Sequence, residues 1–131
     1  MLFRSEVDAL DGAPGVHSAR YAGPSGEYAR NVAKLLEDLA EVPAADRGAR
    51  FVTVVHVAWA DGRTSVVEGA VEGTIGATPR GAGTFGYDPV FVPLEGDGRT
   101  FAEMSPADKH RLSHRGRAVR ALIAEFGHTV L

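Results

Sequence analysis

The sequence predicts an α/β fold spread over residues 1–131 as one domain, and three patterns predict it. Val32, Leu35, Leu36 and Leu39 recur at i, i+3, i+4 and i+7, the spacing of a helix with one apolar face. A β-branched and aromatic run over residues 51–59 is followed, across Asp61-Gly62, by Val66-Val67, which is hairpin patterning. Ser105-Pro106-Ala107-Asp108 then opens a stretch in which Leu112, Val119, Leu122, Ile123 and Phe126 return at helical spacing. Helix, hairpin and helix in that order suit α+β or mixed α/β packing.

Each element has a local reason. Residues 11–26 carry Gly12, Pro14, Gly15, Gly23, Pro24 and Gly26 and read as an ordered loop. The helix predicted over residues 27–41 keeps Arg30, Lys34, Glu37 and Asp38 in water and stops before Pro43. After the hairpin, Gly69, Gly73, Gly76, Pro79, Gly81 and Gly83 predict a broken stretch, with Thr74-Ile75 as a short strand. Aromatic and β-branched residues around a proline make Tyr87-Asp88-Pro89-Val90-Phe91 an edge strand or extended segment. Ser105 can cap the next helix, Pro106 suits its first position, and Ser113 with Gly116 divides the region into a short helix and a longer one that Ser113 caps.

A chain of 131 residues can bury about two-thirds of its unfolded surface, enough for a core without covalent staples. There are no cysteines, so disulfides and thiolate metal sites are excluded. A net charge of -3 gives no attraction to a nucleic-acid backbone. No stretch approaches the roughly 20 apolar residues of a membrane span, and no basic start with an apolar run marks a secretory signal, so a cytoplasmic protein is expected.

Gly81-Ala82-Gly83-Thr84-Phe85-Gly86 matches G-x-G-x-x-G in form, yet a dinucleotide fingerprint must follow a strand and open a helix, and Tyr87-Asp88-Pro89 does the opposite. The glycines read either as a tight turn or as room for close backbone approach. Phe85 and Tyr87 are core packing or a stacking surface for a planar ligand, and Lys109 and Arg115 are a solvated helix face or a donor cluster. His110 and His114 have the spacing of a His-x-x-x-His zinc pair, but no HExxH glutamate lies between them, and the pair is not read as a metal site.

Taken together, Gly83-Thr84-Phe85-Gly86-Tyr87-Asp88-Pro89-Val90-Phe91, Ala102-Glu103-Met104, Lys109 and Ser113-His114-Arg115 closely resemble the inosine triphosphate pyrophosphatase family. A second match runs from Val7-Asp8-Ala9-Leu10 through Gly12-Ala13-Pro14-Gly15 to Ser18-Ala19-Arg20-Tyr21. The resemblance implies a mixed twisted sheet with flanking helices, the C-terminal part of that elongated fold. It also implies a homodimer that uses Mg2+ to split purine nucleoside triphosphates such as ITP, dITP and XTP into monophosphate and pyrophosphate. It places Phe85, Gly86, Tyr87, Asp88, Lys109, His114 and Arg115 at the nucleotide, with Arg20 near the cleft. In such a site, donors at O6 and an acceptor near N1 would suit the 6-oxo group and N1–H of hypoxanthine and xanthine, which adenine reverses.

The sequence departs from the family at three places. Thr84 stands where a glycine usually precedes the phenylalanine. The two aspartates of the family's Asp-Asp-Ser-Gly-Leu stretch fall on Met1 and Leu2, so no catalytic residue or metal ligand is identified. Residues 1–5 then read as a leader outside the family pattern, and the whole as a single, incomplete domain. The alternative to an active enzyme is a catalytically inactive fragment that only binds 6-oxo purine nucleotides.

Overall fold

In the hairpin, β3 (Gly48–Ala58) and β4 (Thr64–Ile75) pair antiparallel from Gly48↔Thr74 to Ala58↔Thr64. The structure, a computed structural model, describes residues 2–82 and 85–130; Met1, Gly83, Thr84, Leu131 and the side chains of residues 126–130, Phe126 among them, lie outside the described residues. The turn closes through Gly62, whose φ of 90° a side chain would resist. On the far side of β3 lies β1 (Leu2–Val7), in register from Leu2↔Val54 to Val7↔Ala49. Two-residue β2 (Pro14–Gly15) flanks β1 and three-residue β5 (Phe91–Pro93) flanks β4, giving the order β2-β1-β3-β4-β5 with every pairing antiparallel. Leu2 to Ser5, read from sequence as a leader, thus form part of a sheet strand.

Period-two alternation decides which face is covered. Ser5, Val7, Ala49, Phe51, Thr53, Val55, Val67, Val71 and Ile75 are buried on one face. The other carries charge, with Glu6, Arg50 and Glu72 in one cross-strand row and Arg50 Nε 3.7 and 3.5 Å from the two carboxylates. Helix α1 (Tyr28–Asp38) lays Val32 and Leu35 on the buried face, joined by Leu39 beyond its end. The segment that leaves the helix is tied down by Arg47, which donates to Leu39 O at 2.8 Å and Val42 O at 3.0 Å and reaches Gly76 O at 3.2 Å.

The C-terminal region divides as the sequence predicts. Helix α2 (Pro106–Leu112) starts at Ser105, whose Oγ accepts from Asp108 N–H at 3.2 Å. Helix α3 (His114–Val130) starts at Ser113, whose Oγ accepts from Gly116 N–H at 2.9 Å. Ala118 and Leu122 of α3 cover Val55 and Val67, the second part of the core. Among the described residues no helix is long and apolar enough to cross a membrane.

Two readings of the middle of the chain are corrected. Gly69 and Gly73 do not break the chain but lie inside twelve-residue β4. A Cβ at Gly69 would stand 2.2 Å from His114 O and 2.3 Å from Ala118 N, and one at Gly73 would stand 2.5 Å from Val92 O. These glycines let backbone pack on backbone, a use that turn statistics do not capture. Tyr87 to Val90 form turns, not an extended segment, and the strand begins only at Phe91.

Gly69→Ala should therefore push α3 off the sheet. We expect a loss of about 3 kcal/mol in denaturant unfolding, at the upper end of overpacking costs, whereas Glu68→Ala on the exposed side of the same strand should cost under about 0.5 kcal/mol. Equal effects would contradict this packing.

Candidate functional site

Phe51, Phe91 and Phe101 form the aromatic floor of the core, with Phe51 and Phe91 stacked at 3.9 Å between centroids. Above it, the first residue of α3 brings the His114 ring to 5.2 Å from Phe51 and 5.8 Å from Phe3. Two hollows adjoin there, of about 300 and 390 Å3, and Phe3, Phe85 and His114 line both. Ser18, Tyr28, Asn31, Tyr87 and Asp88 continue the first. Lys109, His110, Ser113 and Arg115 continue the second, which is the basic one.

The predicted residues divide by role within this cleft. Phe85 is 55% exposed, a large apolar ring left in water, and touches Tyr28 edge-on at 5.4 Å while Lys109 Nζ stands 5.4 Å from its centroid. Gly86 lines the wall beside it. Tyr87 is buried in the core, and its hydroxyl donates to Ser18 O at 2.7 Å. Burial raises the pKa of that phenol further above its ordinary range. Asp88 is buried too, and its Oδ2 accepts from Lys109 Nζ. Desolvation pushes the Asp88 carboxyl up, although the Lys109 ammonium acts in the opposite direction. Arg115 is exposed and its guanidinium has no ion pair among the described residues; the same holds for Arg20, whose side chain does not line either hollow.

The proton on His114 is fixed by geometry. Its Nδ1 accepts the backbone N–H of Arg115 at 2.9 Å, so in the neutral ring Nε2 carries the hydrogen. Burial, then the nearby charges of Lys109 and Arg117, lower its pKa to about 4, so the ring is neutral at pH 7. A place at the start of α3, where the helix dipole is positive, acts in the same sense. His114 is thus a donor through Nε2–H that carries no charge.

Sequence reasoning missed Phe3, Tyr28, Asn31 and Phe51 as cleft residues. Asn31 left one signal, because it sits one turn before Leu35 on the apolar face of α1, where a polar side chain needs a partner. Ala102-Glu103-Met104 was grouped with the site but lines neither hollow. Instead it braces the loop: Ala102 N–H donates to Asp88 O at 3.2 Å, and Glu103 completes a capping box with Thr100, whose Oγ1 donates to Arg80 O at 2.9 Å.

A divalent cation does not fit the residues present. Asp88 is the only carboxylate lining the cleft and is already paired, and no three His, Asp or Glu side chains converge among the described residues.

Comparison with known proteins identifies relatives of the whole chain. The dITP/XTP pyrophosphatase of Rhodospirillum centenum is 49% identical over 120 residues, 90% of this chain and 58% of that protein. The dITP/XTP pyrophosphatase of Geobacillus kaustophilus is 52% identical over 124 residues, covering 95% of this chain and 60% of that one. The structure of the Staphylococcus aureus Ham1 protein superposes with a TM-score of 0.90 at 38% identity, over 96% of this chain and 64% of that one. The chain thus spans about three-fifths of the length of the curated relatives it matches. With residues 5–125 matching the Ham1 family, this chain belongs to that family.

Proposed function

We propose that the cleft around Phe85 and His114 binds the base of 6-oxo purine nucleotides, and that the chain acts as a nucleoside triphosphate pyrophosphatase on ITP, dITP and XTP. The products are the nucleoside monophosphate and pyrophosphate, and the setting is the cytoplasm. The observation that carries this reading is the uncharged Nε2–H donor of His114 beside an exposed aromatic ring. The names of the relatives support the substrate class. A homodimer belongs to the same reading; Mg2+ is implied by the family resemblance, but the described residues offer no ligand set for it. The open sheet face, where Leu2 is 70% and Val66 62% exposed, supports a subunit contact.

The base chemistry follows from donors and acceptors. Phe85 offers a face for stacking, worth about 1–3 kcal/mol per base. His114 Nε2–H, Lys109 and Arg115 supply donors for the 6-oxo oxygen, and Asp88 is the anionic acceptor of the set, holding Lys109 in place. An adenine 6-amino group would meet donors with donors and leave buried polar groups unpaired. Gly86 permits the chain to turn beside the ring with a φ of 53°, and Tyr87 supports that wall from inside the core.

Calorimetry on the full chain should show IMP binding at least about tenfold tighter than AMP, a difference of about 1.4 kcal/mol. Phe85→Ala should weaken both nucleotides, and His114→Ala should remove most of the preference. Equal affinity for IMP and AMP would contradict base recognition, and absence of pyrophosphate release from ITP with Mg2+ would contradict the enzymatic part alone.

A second expectation concerns pH. The folded pKa of His114, about 4, lies below its ordinary value of 6.5, so the unfolded state takes up the proton first as pH falls. The contribution is therefore present above pH 6.5 and lost as pH drops toward 4, a change of at most about 3 kcal/mol. The raised Asp88 pKa acts in the opposite sense, so the effect is read as the difference between wild type and His114→Asn. That difference should change with pH between about 6.5 and 4; a flat difference in urea titrations would place His114 in solvent.

A further inference from the structure

Ser18 and Ala19, which line the first hollow together with Phe85, open a short turn, Ser18–Arg20, in which Ser18 is the one buried residue. Besides its local turn bonds and the packing of neighbouring Tyr21 on the core, the turn receives polar contacts from three distant segments. Ser18 Oγ accepts from Ser5 N–H of β1 at 2.8 Å and donates to Gly15 O at 2.6 Å. Asn31 of α1 donates to Ala19 O at 3.0 Å and, at 3.4 Å, to Ser18 O, and its Oδ1 accepts from Ala22 N–H at 2.8 Å. Tyr87, 69 residues along the chain, donates to the same Ser18 carbonyl. Asn31 is 2% exposed and Tyr87 4%, and the bonds that both make to the Ser18 carbonyl are buried and not readily exchanged for water.

The geometry points to a clasp: Tyr87, Ser18 and Asn31 are positioning residues that set the spacing between the Phe85–Asp88 wall and the Ser18–Ala19 wall. The inference deepens the reading above, and rests on it for what enters the cleft. Each wall alone is a loop. The Ser18 carbonyl joins them, because one oxygen receives the tyrosine of one wall and the asparagine behind the other. Tyr87 therefore acts through Ser18 and not by touching the base, which explains why its hydroxyl is directed into protein. Two loops that must keep a fixed gap for a flat ring gain from a shared buried acceptor, since a shift of either breaks a bond that water does not replace.

The test needs no ligand for its main arm. Amide hydrogen exchange is measured on the full chain, on Tyr87→Phe and on Asn31→Ala, with Asn31→Asp as a milder variant that keeps the acceptor for Ala22 N–H. Tyr87→Phe should speed exchange about fivefold at Ser5 and Ala22, amides Tyr87 does not touch, the factor for one lost net hydrogen bond. Asn31→Ala, or Asn31→Asp should the former not fold, should do the same at Asp88 and Val90, whose N–H groups bond Phe85 O and Tyr87 O. Changes confined to the mutated segment in each variant would overturn the clasp. In the second arm, the clasp predicts that Tyr87→Phe lowers the IMP-to-AMP preference severalfold; an unchanged preference with lowered melting temperature would make Tyr87 a core residue only and overturn the positioning role. If wild type itself shows no preference, the base reading falls while the exchange arm still judges the clasp.

Discussion

Helix α3 crosses β4 so closely that its backbone occupies the space where a side chain at residue 69 would begin. The placing of His114 in the cleft depends on that approach. It seats the first turn of α3 over Phe51 and fixes the His114 ring against two aromatic rings. It also brings Arg117 within reach of the sheet, where the guanidinium donates to Ala70 O at 3.1 Å and to Glu95 at 2.8 Å. A bulkier residue at position 69 would lift the helix and open the contact between His114 and Phe51.

Electrostatics within the cleft follow from the same burial. Lys109 and Asp88 neutralise each other at the boundary between the core and the second hollow. Such a pair contributes little net stability, since the cost of desolvating both ions offsets most of their attraction, but it fixes where the ammonium stands. His114 solves the neighbouring problem differently, by giving up its charge. A charged imidazolium near Lys109 and Arg117 would add repulsion at a helix start that is already positive. The cleft thus sets one ammonium, the guanidinium groups of Arg4 and Arg115 and one neutral histidine donor near an exposed phenyl ring.

Much of this was legible in the sequence. The apolar period of α1, the hairpin, and the two caps at Ser105 and Ser113 are local signals, and local signals survive in a linear chain. The role of Gly69 and Gly73 was not legible, because a glycine that makes a turn and one that admits a neighbouring backbone look alike until the neighbour is known. Among the site residues, Phe85, Asp88, Lys109, His114 and Arg115 emerged from motif resemblance. Phe3, Tyr28 and Asn31 did not, since each is brought to the cleft by tertiary packing of an element whose own pattern is ordinary. Tyr87 was found for its aromatic ring, yet its hydroxyl bond to Ser18 spans two segments that no sequence window contains.

The most direct test of base recognition by an uncharged histidine is a nitrogen-15 NMR spectrum of the His114 ring at pH 7, recorded alone and with saturating IMP. The account predicts a neutral ring protonated at Nε2 in both, with the Nε2–H resonance moved by IMP and left in place by AMP. A ring protonated at Nδ1, a doubly protonated imidazolium, or an Nε2–H signal that IMP does not move would contradict it.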